Sequence, residues 1–318
     1  MSVHLFNFCV YHDYLEQLEK TGKTLPEFMD GLDLTGIEHF VFRNTAQIDY
    51  LAEYSVGAHL AYWPYWMGLW QHDAVRLTRE FASEEEKRKY YFDAVTPEEW
   101  LGAIRQNIAA ACSLKPEYAV WHVAEADLPE VYTFHFQYTD REVLAAAADV
   151  FNAVSDSVPE EVTVLFENLW WPGLRLTEPE EVRFFFDRIR RKNVGIMLDT
   201  GHLMNTNPDL HNEAEGADYV CRTIDRLGEL AGLIKGVHLS CSLSGEYQKT
   251  FPRIFRPETT FWDTYKHITA IDRHSPFQTK AARRIVEFVQ PHYVTHEMIY
   301  STLEEMREKL KIQIENCF

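Results

Sequence analysis

The segments Leu165-Phe166-Glu167-Asn168 and Met197-Leu198-Asp199-Thr200-Gly201-His202 decide how this chain is read. Each is a short apolar run that stops on a carboxylate. Helical periodicity follows each of them. Working outward, the same unit recurs along the chain. Strands are predicted near His4–Val10, Ile37–Phe42, Val56–Tyr62, Tyr118–Val123, Val162–Phe166, Val194–Leu198, Ile234–Leu239 and Tyr293–His296. Amphipathic helices are predicted over Arg141–Val154, Glu178–Arg191, Tyr219–Leu233, Thr279–Val289 and Thr302–Ile314. Such alternation implies parallel strands joined by right-handed crossovers. A doubly wound open sheet would alternate in the same way. A count of eight strands, with polar residues ending many of them instead of clustering at one switch point, favours an α/β fold of the (β/α)8 TIM-barrel type, one domain over residues 1–318.

Two connections are long, residues 63–96 after the third strand and 241–278 after the seventh, the latter with Pro252, Pro257 and Pro276. Both leave strand C-termini, so both are expected over the active face, where long loops serve as lids. The run Ser83–Lys89 reads as an exposed helix start capped by Ser83.

The chain has 318 residues, 46% of them hydrophobic, and a formal net charge of −18. That charge disfavours nucleic acid as a partner, because phosphate binding needs clustered Lys and Arg. The densest basic run, Arg188, Arg190, Arg191 and Lys192, reads as cations at a helix C-terminus. Five scattered cysteines without a C-x-x-C pair argue against a disulfide scaffold or a thiolate zinc site, and suit a reducing, cytoplasmic setting. No apolar run approaches the roughly 18 residues of a membrane span. The first residues lack a basic and apolar leader pattern.

The strand ends carry the chemistry. Six successive strands finish with Gly57-Ala58-His59, Val120-Trp121-His122, Phe166-Glu167-Asn168, Leu198-Asp199-Thr200-Gly201-His202, Gly236-Val237-His238 and Thr295-His296-Glu297. One buried histidine is commonly a satisfied core residue, and one carboxylate ending a strand commonly caps the next helix. Six together are different. Barrel closure gathers them at one mouth, and buried carboxylates are costly unless paired or metal-bound. Imidazoles and carboxylates without thiolates suit Zn²⁺ ahead of Mn²⁺ or Fe.

The Glu-Asn, Leu-Asp-Thr-Gly-His, Val-His-Leu and His-Glu segments resemble those of the xylose isomerase-like barrel superfamily, which includes the family 2 AP endonucleases. The resemblance spans strands three to eight. It implies a shared metal position held by Glu167, Asp199, His238 and Glu297. The endonuclease branch implies a second metal on His59 and His122 with Glu167 bridging, and a third on His202 with an Asp-x-His pair, which Asp272-Arg273-His274 resembles. The stretch from His238 to Asp272 is longer than in the endonucleases. Two or three divalent cations per chain are therefore expected, with Glu167, Asp199 and Glu297 as the catalytic carboxylates. Two cations bridged roughly 3.5–4 Å apart would acidify a shared water. His296, one residue before Glu297, is expected to point to the opposite face.

Aromatic residues crowd the loops beyond His59 and Glu167. Trp63, Tyr65, Trp66, Trp170 and Trp171 are the expected wall of a wide apolar substrate pocket. Together these features indicate a metal-dependent hydrolase acting on a phosphoester in a bulky planar small molecule. The superfamily's corrinoid-processing members make a corrinoid (cobamide) nucleotide loop one such substrate. Three rivals stand beside this reading. A one-metal sugar isomerase or epimerase would use Glu167 and Glu297 as its acid/base pair. An abasic-site endonuclease would need a basic groove. A non-catalytic metal-binding barrel would bind cations without turnover.

Overall fold

Period-two alternation sends one set of strand side chains toward the barrel axis and the other toward the helices. The computed structural model describes residues 2–9, 14–41 and 49–317 and repeats this arrangement eight times. The strands are β1 (Val3–Cys9), β2 (Gly36–Phe40), β3 (Ser55–His59), β4 (Tyr118–His122), β5 (Thr163–Glu167), β6 (Val194–Asp199), β7 (Ile234–Leu239) and β8 (Tyr293–His296). Each pairs in parallel with its sequence neighbours, and β8 pairs with β1, Tyr293 opposite Val3, to close a TIM barrel. The predicted strand ends Val10 and Phe42 lie outside the described residues.

On β5, Val164 and Phe166 join the core beneath the helices, whereas Leu165 meets Leu5, Tyr118, Val120, Met197 and Tyr293 on the axis. Glu167 follows Leu165 by two and shares its direction. The same count puts His59, His122, Asp199 and His238 inward at the C-terminal rim, one turn of the pleat above that apolar floor. Gly57 is required by this interior. The Tyr118 ring crosses the barrel so closely that a Cβ on Gly57 would lie 2.3 Å from its Cζ.

Several boundaries differ from expectation, among them the predicted Glu178–Arg191 helix, which spans Pro179–Phe186 and so leaves the basic run 188–192 beyond its end. The third strand, predicted to reach Tyr62, stops at His59: Leu60 N–H still donates to the Val120 carbonyl (3.2 Å), but Ala61 N–H turns to Asn107 Oδ1 (2.9 Å) and leaves the sheet. The predicted Tyr219–Leu233 helix is instead Glu213–Arg226, capped by Asn212, and a 3₁₀ turn, Gly228–Leu233. Gly228 takes φ +58°, which breaks the helix there.

The connection after β3 folds into three short helices, Met67–Trp70, Ala74–Glu80 and Glu84–Tyr90, with Ser83 capping the last. Arg76 anchors them. Its buried guanidinium donates to Glu80 Oε1 (2.8 Å), to Glu125 Oε1 (2.6 Å) and to Glu130 (3.2 Å), so the β3 loop is tied to the segment after β4. The connection after β7 holds two helices, Gly245–Thr250 and Phe261–Ile271. Among the described residues no helix is long and apolar enough to cross a membrane. Cys112, Cys221, Cys241 and Cys317 form no disulfide among the described residues.

Candidate metal centre

Glu167 ends β5 at the middle of the barrel mouth, fully buried, and both of its oxygens face imidazoles. Oε2 lies 3.3 Å from His59 Nε2 and 3.1 Å from His122 Nε2. Oε1 lies 3.3 Å from His202 Nδ1 and 3.3 Å from His238 Nδ1. Neither oxygen has a hydrogen bond among the described residues. Asp199 Oδ2, His59 Nε2, His238 Nδ1, His274 Nδ1 and Glu297 Oε2 are also buried without one. Unpaired polar atoms on this scale are costly in a folded interior. Converging lone pairs without hydrogen-bond geometry are what a cation would satisfy, so the residues present fit divalent metal.

Side-chain atoms that could hold a cation fall into overlapping groups, each with its atoms within 4.8 Å of one another. His59, His122 and Glu167 form one. Glu167, Asp199, His238 and Glu297 form another, and Asp199, His202 and His274 a third. Asp272 belongs with the last, its Oδ2 lying 3.2 Å from His202 Nε2 and 3.0 Å from His274 Nδ1. The long β7 connection thus returns to the mouth. The helix Phe261–Ile271 ends immediately before Asp272, and His274 takes a left-handed φ of +41° that turns the chain inward.

Imidazole orientation is fixed from behind. His59 Nδ1 bonds the Leu60 carbonyl (3.1 Å) and His202 Nδ1 the Asn168 carbonyl (2.9 Å), so Nε2 is left as the acceptor in each. Asn168 also clasps the Asp199 backbone from both sides, donating to its carbonyl (3.0 Å) and accepting from its N–H (2.9 Å). His238 is oriented the other way round. Its Nε2 bonds the buried Glu38 carboxylate at 2.9 Å, which leaves Nδ1 toward Glu167 and, at 2.9 Å, toward Glu297 Oε2.

Glu38 was not among the residues singled out from sequence. It lies on β2, and Tyr118 (2.6 Å) and Thr295 (3.0 Å) donate to it. Its sequence trace is a charged residue at an inward position of a predicted strand, but its partner is 200 residues away. A carboxylate behind a ligating imidazole raises its basicity and fixes its tautomer. Glu38→Gln is therefore expected to weaken metal at the His238 position by about 10–100-fold. Competition with a chelator measures this, and unchanged affinity would remove Glu38 from the centre.

Without metal, the carboxylates and imidazoles of the mouth stabilise one another's charge. Burial by itself would raise the Glu167 carboxyl, but His122 and His238 overcome it and hold the group well below the carboxylate range. Burial likewise opposes charge on His202, His238 and His274, yet neighbouring carboxylates, led by Asp199, Glu297 and Asp272 respectively, push all three well above the usual histidine value. Burial pushes Asp199 up to about 7, against the pull of His202 and His274. His296 turns away to Gln313 (2.9 Å) and His4 (3.0 Å) in the helix layer.

The predicted aromatic wall divides. Trp63 and Trp66 are buried, their indole N–H groups donating to the Tyr90 and Ala124 carbonyls, and Tyr65 stacks on Tyr90 at 4.2 Å. Trp63 and Trp66 line a cavity of about 40 Å³ beside His122, which is room for water but not for a bulky ligand. Trp170 reaches the centre, 5.2 Å from the His202 ring, and Trp171 packs behind it at 4.9 Å. Sequence gives no means to separate these cases, because a loop tryptophan's direction depends on the carbonyl its N–H finds.

Comparison with known proteins follows the same lines. Residues 90–309 match the family model described as a xylose isomerase-like TIM barrel, that of AP endonuclease 2. No curated protein matches by sequence. Among solved structures, the chain is similar to a D-tagatose 3-epimerase-like protein (16% identity, 98% of this chain and 96% of that one, TM-score 0.52). It is similar also to endonuclease IV from Thermus thermophilus (14% identity, 99% and 98%, TM-score 0.53). A third is D-psicose 3-epimerase, solved in the presence of D-fructose (13% identity, 99% and 95%, TM-score 0.51). At these identities the likeness is one of fold.

Proposed function

We infer function from one premise: the chain belongs to the xylose isomerase-like TIM barrel family. On that scaffold we propose a metal-dependent hydrolase that cleaves a phosphoester in a bulky planar small molecule. One observation carries the reading. Each Glu167 oxygen faces its own pair of imidazoles, and His202, Asp272 and His274 gather further out, so the mouth offers more ligands than a single cation can use. In this proposal His59 and His122 would hold one cation, Asp199, His238 and Glu297 a second with Glu167 shared, and His202, Asp272 and His274 a third.

Divalent cations bound there would acidify water and neutralise charge on phosphate oxygens. The chain's own groups do the rest. Asp199, whose Oδ2 is buried without a hydrogen bond among the described residues, is the group we assign to accept a proton from the attacking water. Glu297, flanked by His238 (2.9 Å) and His274 (3.4 Å), is fixed as a charged acceptor on the opposite side. Trp170 shields the His202 side from solvent.

One specific observation supports a second reading. Glu167, Asp199, His238 and Glu297 form a complete one-metal set by themselves, as a sugar isomerase or epimerase would require. Counting metal atoms separates the two. We expect about two or three Zn, Mn or Fe per purified chain, and turnover of aryl phosphoesters or corrinoid nucleotides lost on chelation. A single atom per chain with sugar epimerisation would favour the second reading and sink the first.

A further inference from the structure

A cavity of about 290 Å³ opens over the β1, β2 and β8 side of the metal centre. Its floor is formed by Asp272, His274 and Glu297, all members of the candidate centre. Its walls come from Phe40, which stacks on His59 at 4.1 Å, and from Phe261 and Tyr265 on the helix of the long β7 connection. Among the described residues no lysine or arginine lines it. The volume is near the lower edge of small-molecule pockets, roughly 300–1,000 Å³.

The two wall residues meet the edge of Trp262, at 5.4 and 5.9 Å, and otherwise stand open to solvent. Phe261 is 74% exposed and Tyr265 44%, their rings stacked at 6.5 Å with an interplanar angle of 21°. Large apolar side chains exposed side by side above a polar floor mark a surface meant to be covered. Continuity with the metal ligands shows what covers it. A protein or membrane would meet the outer face of the helix, where Trp262 is exposed, whereas Phe261 and Tyr265 line a chamber that ends on ligand atoms.

We propose that Phe261, Tyr265 and Phe40 form an aromatic subsite for the uncharged planar part of the substrate, whose polar reacting end lies over Asp272, His274 and Glu297. The described walls are aromatic and uncharged, which favours a flat apolar group over a second phosphate or a sugar. For the nature of the reacting end this rests on the hydrolase reading above; the subsite itself can be tested without turnover.

The test is fluorescence titration of the full-length protein with prodan, a neutral naphthalene dye without a metal-binding group. Phe261→Ala/Tyr265→Ala is expected to weaken binding about tenfold, two ring contacts being lost. Trp262→Ala, removing an equally exposed ring of the same helix that does not line the cavity, should stay within about twofold of wild type. No binding by wild type, equal binding by the double variant, or equal weakening by Trp262→Ala would each overturn the subsite. If the dye behaves as expected but no phosphoester is turned over, the hydrolase reading fails and the subsite stands.

Discussion

Glu167→Ala is expected to strip about two metal atoms from each chain at once and to lower turnover by more than about 100-fold. The reason is positional. Its Oε2 serves the His59–His122 side and its Oε1 the His202–His238 side, so one truncation opens both. A ligand outside the bridge should behave differently. Glu297 pairs with His238 and His274 and belongs to one candidate group besides, so Glu297→Ala should release one atom. The fold should survive both changes, since the apolar layer of Leu5, Val120, Leu165 and Met197 lies below the carboxylates. Elemental analysis beside a thermal scan reads the difference. Full metal content in Glu167→Ala would end the bridging assignment.

Arg76→Met should be the most destabilising single change outside the centre, about 3–5 kcal/mol. The guanidinium is 1% exposed and answers Glu80, Glu125 and Glu130 together. Removing it leaves buried carboxylates without a counter-charge. Their titration gives the loss a pH signature. Burial already pushes Glu80 up to about 7 and Glu125 well above its usual range, against the pull of Arg76 in both. Groups with raised folded pKa stabilise fully below their unfolded value and lose that contribution as pH rises through the folded one. Without Arg76 these carboxyls titrate higher still. The gap between variant and wild type should therefore narrow at about pH 5 and widen at about pH 8 in urea unfolding. A pH-independent gap would mean that Arg76 acts through packing alone.

Much of this molecule was fixed locally. Eight apolar runs bounded by helical stretches are a property of residue order, and period-two side-chain direction follows from any strand. Once Leu165 is inward, Glu167 is inward; the same holds for Met197 with Asp199 and for Val120 with His122. The identity of the mouth residues was therefore readable before any contact was known. The return of Asp272 and His274 to that mouth was suggested by resemblance, and it is the course of the helix Phe261–Ile271 that brings them there.

What tertiary structure alone decided is everything that depends on two distant segments meeting. Glu38 orients His238 only because barrel closure brings β2 and β7 within reach on the axis, and Gly57 leaves room for the Tyr118 ring that donates to Glu38. Trp63 and Trp66 turn into the loop core because the Tyr90 and Ala124 carbonyls are there to accept their N–H groups, while Phe261 and Tyr265, on a stretch that carries no strand-end signal, wall the chamber above Asp272, His274 and Glu297. Side-chain periodicity is set by the backbone of a single strand, but hydrogen-bond partners are set by closure, and closure is not written in any one segment.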